Sequence, residues 1–226
     1  MDRLSNNTLQ KEIAHHRPVT FIITSVISFS DNKLSYSDKR SVFSPEERIS
    51  QTLRTISTIR DKVPQAKIIL VELGNLPQDH FKMVVDHYLF LGKKFKVRHA
   101  VKSKHKGLGE AIGLLFALRN IKQLSGICFK ISGRYFLNDK FNIDDWQQGK
   151  FCCKVYSQQM STRLYSVVGT ESSEWVHALK KSIYKLWKGH SIEEVLYNNI
   201  APATIHPIET LGISGFIAPD GVYITE

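Results

Sequence analysis

The chain contains little cysteine: only three of its 226 residues are of this type. Two of them, Cys152 and Cys153, are adjacent, so the chain provides neither a disulfide framework nor a set of zinc ligands. A small disulfide-stabilised fold and a zinc-binding module are therefore excluded. A reducing, cytoplasmic location is the simplest expectation from this cysteine usage.

Long hydrophobic runs are also scarce. The first residues, 1–17, are polar and lack the apolar segment of a signal peptide. The run Val19–Phe29 is too short to span a membrane and is typical of a buried strand. We expect residues 1–17 to be a loosely ordered lead-in and residues 18–226 to form one folded domain.

Acidic residues are outnumbered by basic ones. The sequence has 31 Lys and Arg against 21 Asp and Glu, a formal net charge of +10 with a pI near 9.5. Such an excess predicts attraction to an anionic partner, which is a nucleic acid, an acidic membrane surface or a substrate that carries phosphate.

Segments typical of strands and helices alternate along the chain. The clearest helix start is Ser44-Pro45-Glu46-Glu47, which combines an N-cap serine, a proline at the first helical position and a capping-box glutamate. The other predicted helices cover 78–91, 107–124 and 173–188, the last with Trp187 on its buried face. The main predicted strands cover 19–29, 66–73, 95–100 and 127–132. The alternation predicts a single-domain, three-layer α/β/α fold with a mostly parallel sheet.

The segment Ile127–Asn138 carries the most specific signal for a site. A buried strand stops at Ser132-Gly133-Arg134-Tyr135, where Gly133 lets the backbone turn. Ligands of open α/β sheets bind outside the carboxyl ends of strands, so a guanidinium and a phenol at this place favour an anionic ligand. The alternative is an ordinary strand end, with a solvated Arg134 and a packed Tyr135.

A second candidate site joins a basic segment to a helix start. Residues 93–106 contain seven Lys and Arg and lead into Lys106-Gly107-Leu108-Gly109-Glu110. Glycines at a helix N-terminus leave backbone N–H groups free to bind a diphosphate. The spacing matches neither a Walker loop nor GxGxxG, and a solvated basic loop is the alternative.

Three acidic positions are candidates for binding or catalysis. Glu72 ends the second strand, where a carboxylate accepts hydrogen bonds from a ribose or a base, although the spacing alone slightly favours a solvated acid at the strand end. Glu193 and Glu194 follow Ser191 at a helix start and are candidate general bases. The capping-box spacing of Ser191 and Glu194 accounts for Glu194 without chemistry.

Candidate metal ligands are scattered. Asp139 follows the strand end, and His206 lies late in the chain. A divalent cation that also contacts substrate phosphates needs only one or two carboxylates, so Asp139 is a candidate ligand. A lone histidine such as His206 is more often structural.

With these pieces in place, the chain resembles nucleotide-sugar glycosyltransferases of the GT-A type. It is similar, more narrowly, to small bacterial and large-virus glycosyltransferase-like proteins with an FKISGRY strand end. The resemblance covers roughly 19–145 and rests on TFIITSVISF, the SPEER helix, KIILVELG, KGLGEAIGLLFAL and FKISGRYFLND. It implies a GT-A-like, Rossmann-like sheet over residues 18–226.

The resemblance also implies roles for the residues. The nucleoside is expected at the first two strand ends, which here include Thr24, Ser25 and Glu72, and the diphosphate is expected near 106–110. The family's Asp-x-Asp metal motif is absent, because its place reads Ser132-Gly133-Arg134. Either Asp139 or a later acid with His206 binds Mn²⁺ or Mg²⁺, or cations such as Arg134 stabilise the leaving diphosphate directly.

The function that follows is transfer of a sugar from a nucleotide-diphosphate donor to a saccharide acceptor, in the assembly of a surface polysaccharide or glycan. The positive charge is compatible with peripheral membrane association. Two alternatives stay open. One is a basic nucleic-acid-binding module without catalysis, although no recognisable motif of that class is present. The other is nucleotidyl transfer on the same fold.

Overall fold

The computed structural model describes residues 17–29, 32–121 and 124–226. Ten strands occur in these ranges: β1 Val19–Ser25, β2 Lys67–Glu72, β3 His87–Phe90, β4 Ile127–Ser132, β5 Tyr135–Leu137, β6 Phe151–Tyr156, β7 Gln159–Val168, β8 Ile205–Pro207, β9 Ile213–Phe216 and β10 Tyr223–Thr225. The α-helices are α1 Pro45–Lys62, α2 Phe95–Lys102, α3 Lys106–Asn120, α4 Ser172–Trp187 and α5 Ile192–Asn199. The predicted lead-in of residues 1–17 lies, apart from Arg17, outside the described ranges.

The central sheet has the strand order β3-β2-β1-β4-β7-β6-β8. Neighbours are parallel except at β7, which is antiparallel to both β4 and β6. Six of these seven strands therefore run in one direction. The prediction of a mostly parallel α/β sheet is confirmed.

Helices cover both faces of this sheet. Helix α1 and a small antiparallel sheet, β10-β9-β5, lie over one face, with a core that includes Phe21, Ile56, Phe129 and Leu137. Helices α2 to α5 form the other layer, with their own core around Ile22, Leu114 and Trp175. Because β1, β2 and β4 are buried on both faces, their sequences are continuous apolar runs rather than alternating ones.

The start of α1 agrees with the prediction in detail. Ser44 Oγ accepts a hydrogen bond from the Glu47 N–H (3.2 Å), and Glu47 Oε2 accepts one from the Ser44 N–H (2.7 Å). Pro45 occupies the first helical position, where its missing N–H costs nothing. The helix ends at Lys62, two residues before Pro64.

Two predicted elements are wrong. Residues 78–91 form a short 3₁₀ turn, Asp79–Met83, and the edge strand β3 instead of a helix. The pairing of β3 with β2 decides this structure, and Asp86 supports it by accepting a hydrogen bond from the Ile68 N–H (2.7 Å). Local helix propensity is weak enough for such tertiary contacts to override it.

Residues 95–100 form the start of α2 rather than a strand. Val97, Ala100 and Val101 are its buried residues, and their i, i+3, i+4 spacing is that of a helix face. Trp187 is also not buried as predicted, since it is 59% exposed at the end of α4. Among the described residues, no helix is both long and apolar enough to span a membrane.

Candidate functional site

The carboxyl ends of β1 and β4 lie side by side and form the centre of the site. Thr24 pairs with Ser132 in register, and the Gly133 N–H donates a hydrogen bond to the Thr24 carbonyl (2.9 Å). The chain then turns directly into β5, so Arg134 projects from the junction between the two strands. The predicted strand end is thus located where the sheet opens toward solvent.

A row of threonines on α1 holds this junction in place. Thr52 donates to the Gly133 carbonyl (3.0 Å), and Thr55 donates to the Tyr135 carbonyl (2.8 Å). Thr58 accepts from the Leu137 N–H (3.1 Å). The three threonines recur every third residue on the helix and meet every second residue of the strand, which fixes the backbone on both sides of Arg134.

Four cationic side chains line one cavity at these strand ends: Arg40, Arg48, Lys106 and Arg134. We call this the cationic cavity. Within the described residues, none of the four forms an ion pair with a carboxylate. Glu110 is the acid of the cavity lining, and it pairs with the fully buried Lys130 instead. The cavity lining therefore carries net positive charge and suits an anion.

The cations of this cavity repel one another. Burial lowers the pKa of Lys106 well below its usual value, and repulsion from Arg134 adds to the shift. Burial and the same Arg134 lower the pKa of Arg48 to about 9. Arg134 Nε is buried without a hydrogen-bond partner. An anionic ligand in the cavity would relieve the repulsion and provide that partner.

A polar chain runs from the cationic cavity to Glu193. Besides its contact with Glu110, Lys130 Nζ donates to Ser132 Oγ (3.0 Å) and to the Thr162 carbonyl (2.6 Å). The Thr162 hydroxyl in turn donates to Glu193 Oε1 (3.0 Å). A buried lysine needs such partners, and here they fix the positions of Glu110, Ser132 and Glu193 together.

A second cavity of about 330 Å³, which we call the Glu193 cavity, adjoins the first. Lys106, Glu110, Ser132 and Arg134 line both cavities. The remaining walls include two tyrosines, two histidines and the acid itself: Tyr36, Tyr135, His105, His190 and Glu193, together with Gly107. The site thus places a carboxylate and a cluster of cations at the border of two connected spaces.

The loop 32–43 covers the cationic cavity. It contributes Leu34 and Arg40 to the lining, and its backbone is tied down by the hydrogen bond from the Val42 N–H to the Ala218 carbonyl (2.9 Å). Arg40 also donates to the carbonyls of Asn32 and Ser103. The volume of this cavity alone is about 80 Å³, below the roughly 300 Å³ of the smaller ligand sites, so a nucleotide would also have to occupy space outside it.

Glu72 lies beneath the site and is fully buried. Its Oε1 accepts hydrogen bonds from the backbone N–H groups of Ile27 (3.0 Å) and Gly74 (2.7 Å). Burial raises its pKa, and this shift is opposed by the Ser25 hydroxyl, by those two hydrogen bonds and by the charge of Arg48. Glu72 thus joins the loops that follow β1 and β2. Ser25, also buried, lines a small cavity with Thr24 and Gly133.

The two candidate glycines lie in the first turn of α3. A Cβ at Gly107 would come within 2.8 Å of Ile192 Cβ, and one at Gly109 within 3.0 Å of Val101 Cα. Close packing of α3 against α5 and α2 therefore requires both glycines. Gly109 also lines the cationic cavity, so packing and access for a ligand coincide there.

Besides the buried Glu72, and Ser25 and Gly133 in the small cavity, three predicted site residues lie apart from the two cavities. Ser191 Oγ caps α5 by accepting a hydrogen bond from the Glu194 N–H (3.1 Å), and the Glu194 side chain lines neither cavity. Asp139 pairs with Lys62 (3.1 Å) on the surface. His206 belongs to β8, at the edge of the sheet, where it packs against Gly149. The structure brings neither Asp139 nor His206 to the strand ends.

The described part of the site has no preformed cluster of metal ligands. No group of three or more His, Cys, Asp or Glu side chains is placed to hold a metal ion in the described ranges. Arg134 presents positive charge at the strand end, and Glu110 is already paired with Lys130. The strand end itself therefore offers no unpaired carboxylate to a hard cation among the described residues.

Sequence reasoning missed Arg40, Arg48, Lys130 and Thr162. Lys130 could have been identified from the sequence, because it is the single charged residue in an otherwise apolar strand. Arg48 follows the capping box of α1, so its place near the amino end of a helix beside the sheet was available from the sequence. Arg40 and Thr162 lie in a loop and in a strand whose positions depend on tertiary contacts.

No protein-family model matches the chain, and no curated protein matches it. Several solved structures are similar to it over most of its length. A glycosyltransferase involved in the glycosylation of the major capsid of PBCV-1 has 9% sequence identity and a TM-score of 0.44, with 86% of this chain and 85% of that chain covered. The CTP:phosphocholine cytidylyltransferase of Streptococcus pneumoniae has 10% identity and a TM-score of 0.48, with coverages of 88% and 93%.

The galactosyltransferase LgtC, solved in complex with donor and acceptor sugar analogs, has 7% identity and a TM-score of 0.47, with coverages of 83% and 72%. These three proteins are glycosyl- and nucleotidyltransferases. At such low identities the likeness concerns the path of the backbone, and nothing about the activity of this chain follows from it.

Proposed function

We propose that the protein is a glycosyltransferase that moves a sugar from a nucleoside diphosphate donor to a saccharide acceptor, in the assembly of a surface polysaccharide or glycan. The observation that supports this proposal is the cationic cavity. Four cations, which form no ion pair with a carboxylate among the described residues, meet at the carboxyl ends of parallel strands. Beside them lies the second cavity, in which the Glu193 carboxylate accepts a hydrogen bond from Thr162. Ligands of open α/β sheets bind at such strand ends.

In this proposal the donor diphosphate lies in the cationic cavity. Arg134 and Arg48 present planar guanidinium groups, which bind phosphate oxygens through two donors at once, and Lys106 adds a point charge. As the bond between the anomeric carbon and the diphosphate oxygen breaks, its electron pair passes to the diphosphate. The cations lie where that negative charge develops, which is the general form of electrostatic catalysis.

The acceptor occupies the Glu193 cavity. Its hydroxyl oxygen forms the new bond to the anomeric carbon, and Glu193 takes the hydroxyl proton as general base. The hydrogen bond from Thr162 orients Glu193 by holding one carboxylate oxygen (3.0 Å) and leaving the other free. Among the two acids predicted at this helix start, we therefore assign the role to Glu193 and not to Glu194.

The proposal assigns no step to a metal ion, because Arg134 lies at the strand end and the described residues form no preformed cluster of metal ligands. Arg134 and its cationic neighbours take the place of the charge that a divalent cation supplies. Mn²⁺ should then leave turnover unchanged in the presence of a donor.

A direct assay separates this function from its alternatives. Incubation with labelled nucleoside diphosphate sugars and mixed saccharide acceptors should yield a labelled glycan and free nucleoside diphosphate. Release of pyrophosphate from a nucleoside triphosphate would identify a nucleotidyltransferase instead. Binding of random oligonucleotides that weakens steeply with salt, without any turnover, would identify a nucleic-acid-binding module.

The Glu193→Gln variant tests the assigned base. It keeps the hydrogen bond from Thr162 but cannot take a proton, so transfer should fall by about 10²–10⁴-fold while donor binding is unchanged. Glu194→Gln is the matched control on the same helix and should keep activity. Equal losses in both variants, or no loss in Glu193→Gln, would remove Glu193 from the mechanism.

A further inference from the structure

The excess positive charge of the chain is confined to two segments. Between Asp86 and Glu110 the sequence has seven Lys and Arg and no acid, and between Glu174 and Glu193 it has four and no acid. These segments contribute +11, against +10 for the whole chain, so all other residues together have a charge of −1. The surface charge is therefore a local feature rather than a general one.

These segments build α2 and α4, which both pack against α3 on the same side of the sheet. The end of α4 also meets the turn between α2 and α3, where a Cβ at Gly189 would lie 2.9 Å from His105 Cε1. The two basic segments are therefore neighbours. Apart from Lys106, which lines the cavities, their lysines and arginine are exposed.

Large aromatic side chains are exposed among these cations. On α4, Tyr184 is 68% exposed and Trp187 is 59% exposed, with Lys188 Nζ 5.0 Å from the Trp187 ring centroid. Phe95 at the start of α2 is 73% exposed. Helix faces with lysines beside Trp, Tyr or Phe, and with no acid beyond Glu174 in the first turn of α4, suit the interface of a membrane. There the rings enter the headgroup region and the lysines meet anionic lipids.

We infer that the outer faces of α2 and α4 form a docking surface for an anionic lipid bilayer. The surface is centred on Tyr184, Trp187 and Lys188. Ten of the eleven cations in the two segments are lysines. Bidentate recognition of bases and phosphates favours arginine, whereas attraction to a charged lipid surface requires only charge. The exposed outer faces of helices also differ from the basic groove that tracks a nucleic-acid strand.

The location has a consequence for the site. Gly189 and His190, which follow the end of α4, line the Glu193 cavity together with His105 from the turn between α2 and α3. A bilayer that binds α4 therefore lies beside the mouth of that cavity. The docking surface itself uses none of the residues assigned to catalysis, so it is independent of the proposed function.

Intrinsic fluorescence tests this inference directly. Trp146 and Trp175 are 1% and 0% exposed, so a signal from outside the core belongs to Trp187. Titration with phosphatidylserine-containing vesicles should shift the emission to shorter wavelength, and added salt should reverse the shift. Pure phosphatidylcholine vesicles should give a much smaller effect. No shift with the anionic vesicles would overturn the inference.

Co-sedimentation with the same vesicles compares two pairs of substitutions. Each lysine lost from the surface should lower partitioning roughly fivefold, so Lys181→Gln with Lys188→Gln should lower it by about 25-fold. Lys67→Gln with Lys140→Gln, at exposed lysines outside the two segments, is the control of equal charge and should bind like wild type.

Two other results would contradict the surface. Equal losses in both pairs would show that only net charge matters. Binding of a single-stranded oligonucleotide that depends on Trp187 and Lys188, without vesicle binding, would assign the surface to nucleic acid instead.

Discussion

At the scale of single residues, Arg134 is the side chain on which the account depends most. It lines the cationic cavity, the Glu193 cavity and the small cavity beside Ser25, and its Nε has no partner within the described part of the protein. The sequence placed it correctly because a buried strand ended in a glycine turn. The sequence could not show that Arg48 and Lys106, which belong to other elements, line the same cavity as Arg134.

Replacement of Arg134 by lysine separates a functional role from a structural one. The charge remains but the two-donor geometry is lost, so kcat/KM should fall roughly 10- to 100-fold, as expected for loss of a hydrogen bond to a charged group. The melting temperature should hardly change. Arg54→Lys is the matched control, because Arg54 also lies over an aromatic ring, that of Phe136, outside the cavities.

A structural role for Arg134 predicts the reverse pattern. Activity would then survive in Arg134→Lys, and Arg134→Ala would lower the melting temperature. Wild-type turnover in a stable Arg134→Ala variant would end the proposal that this strand end is the chemical centre.

Glu72 allows a test of pH dependence. Its folded-state pKa is raised by burial, so the stability that this group contributes is present at low pH and is lost as pH rises through the folded-state value. Glu72→Gln keeps an oxygen acceptor for Ile27 and Gly74 but carries no charge. The variant should therefore gain stability relative to wild type as pH rises from 5 to about 8.

Thermal melts of both proteins across this pH range provide the measurement for Glu72. The difference between the two melting temperatures is the relevant quantity, because all other titrating groups are common to both. A difference in melting temperature that does not change with pH would show that the pKa of Glu72 is not raised in the folded protein.

At the scale of elements, α1 and β5 are joined by the threonine row. Thr52→Val or Thr55→Val keeps the shape of the side chain but leaves a buried carbonyl without a donor, which should cost about 1–3 kcal/mol of stability each. The affinity for the nucleotide-sugar donor should fall too, because Arg134 lies between the Gly133 and Tyr135 carbonyls. Ser57→Ala, an exposed position of the same helix, should change stability by less than about 0.5 kcal/mol.

Denaturant unfolding and donor titration of these variants report the two effects separately. Loss of stability with unchanged donor affinity would mean that α1 supports the fold without positioning Arg134.

The elements that could be predicted share a physical property. The capping box of α1 and the buried strands β1, β2 and β4 carry their structure in local residues, and they agree with the prediction. The predictions for residues 78–91 and 95–100 were wrong because short apolar segments fit either a helix or a strand. Pairing with β2 decides the structure of the first segment, and packing on α3 decides that of the second. The strand β5 has three residues and could not be recognised from its own sequence.

The candidate site was predictable to a similar extent. Residues at strand ends and helix starts, such as Ser132, Arg134, Lys106 and Glu193, line the cavities as expected from their places in the chain. Asp139 and His206 were chosen by residue type alone, and the structure leaves them outside. Trp187 was assigned to the core by helical periodicity, which does not distinguish the last turn of a helix from its middle.

At the scale of the whole molecule, the charge distribution separates two surfaces. The cationic cavity lies at the strand ends and is small, enclosed and rich in arginine, whereas the faces of α2 and α4 are open and rich in lysine. Compact guanidinium clusters suit a bidentate phosphate ligand, and dispersed lysines suit an extended anionic surface. The net charge of +10 alone could not separate these uses.

The central claim, that the cationic cavity binds the diphosphate of a nucleotide sugar, is tested most directly by thermal shift. UDP-, GDP-, CMP- and dTDP-sugars are compared with the parent nucleosides, each with Mn²⁺ or with EDTA, on wild type and Arg134→Ala. At least one diphosphate sugar should raise the melting temperature of wild type equally in Mn²⁺ and EDTA, and the nucleosides and the variant should show no shift. The account is contradicted if no diphosphate sugar stabilises the protein, or if stabilisation requires Mn²⁺ and persists in Arg134→Ala.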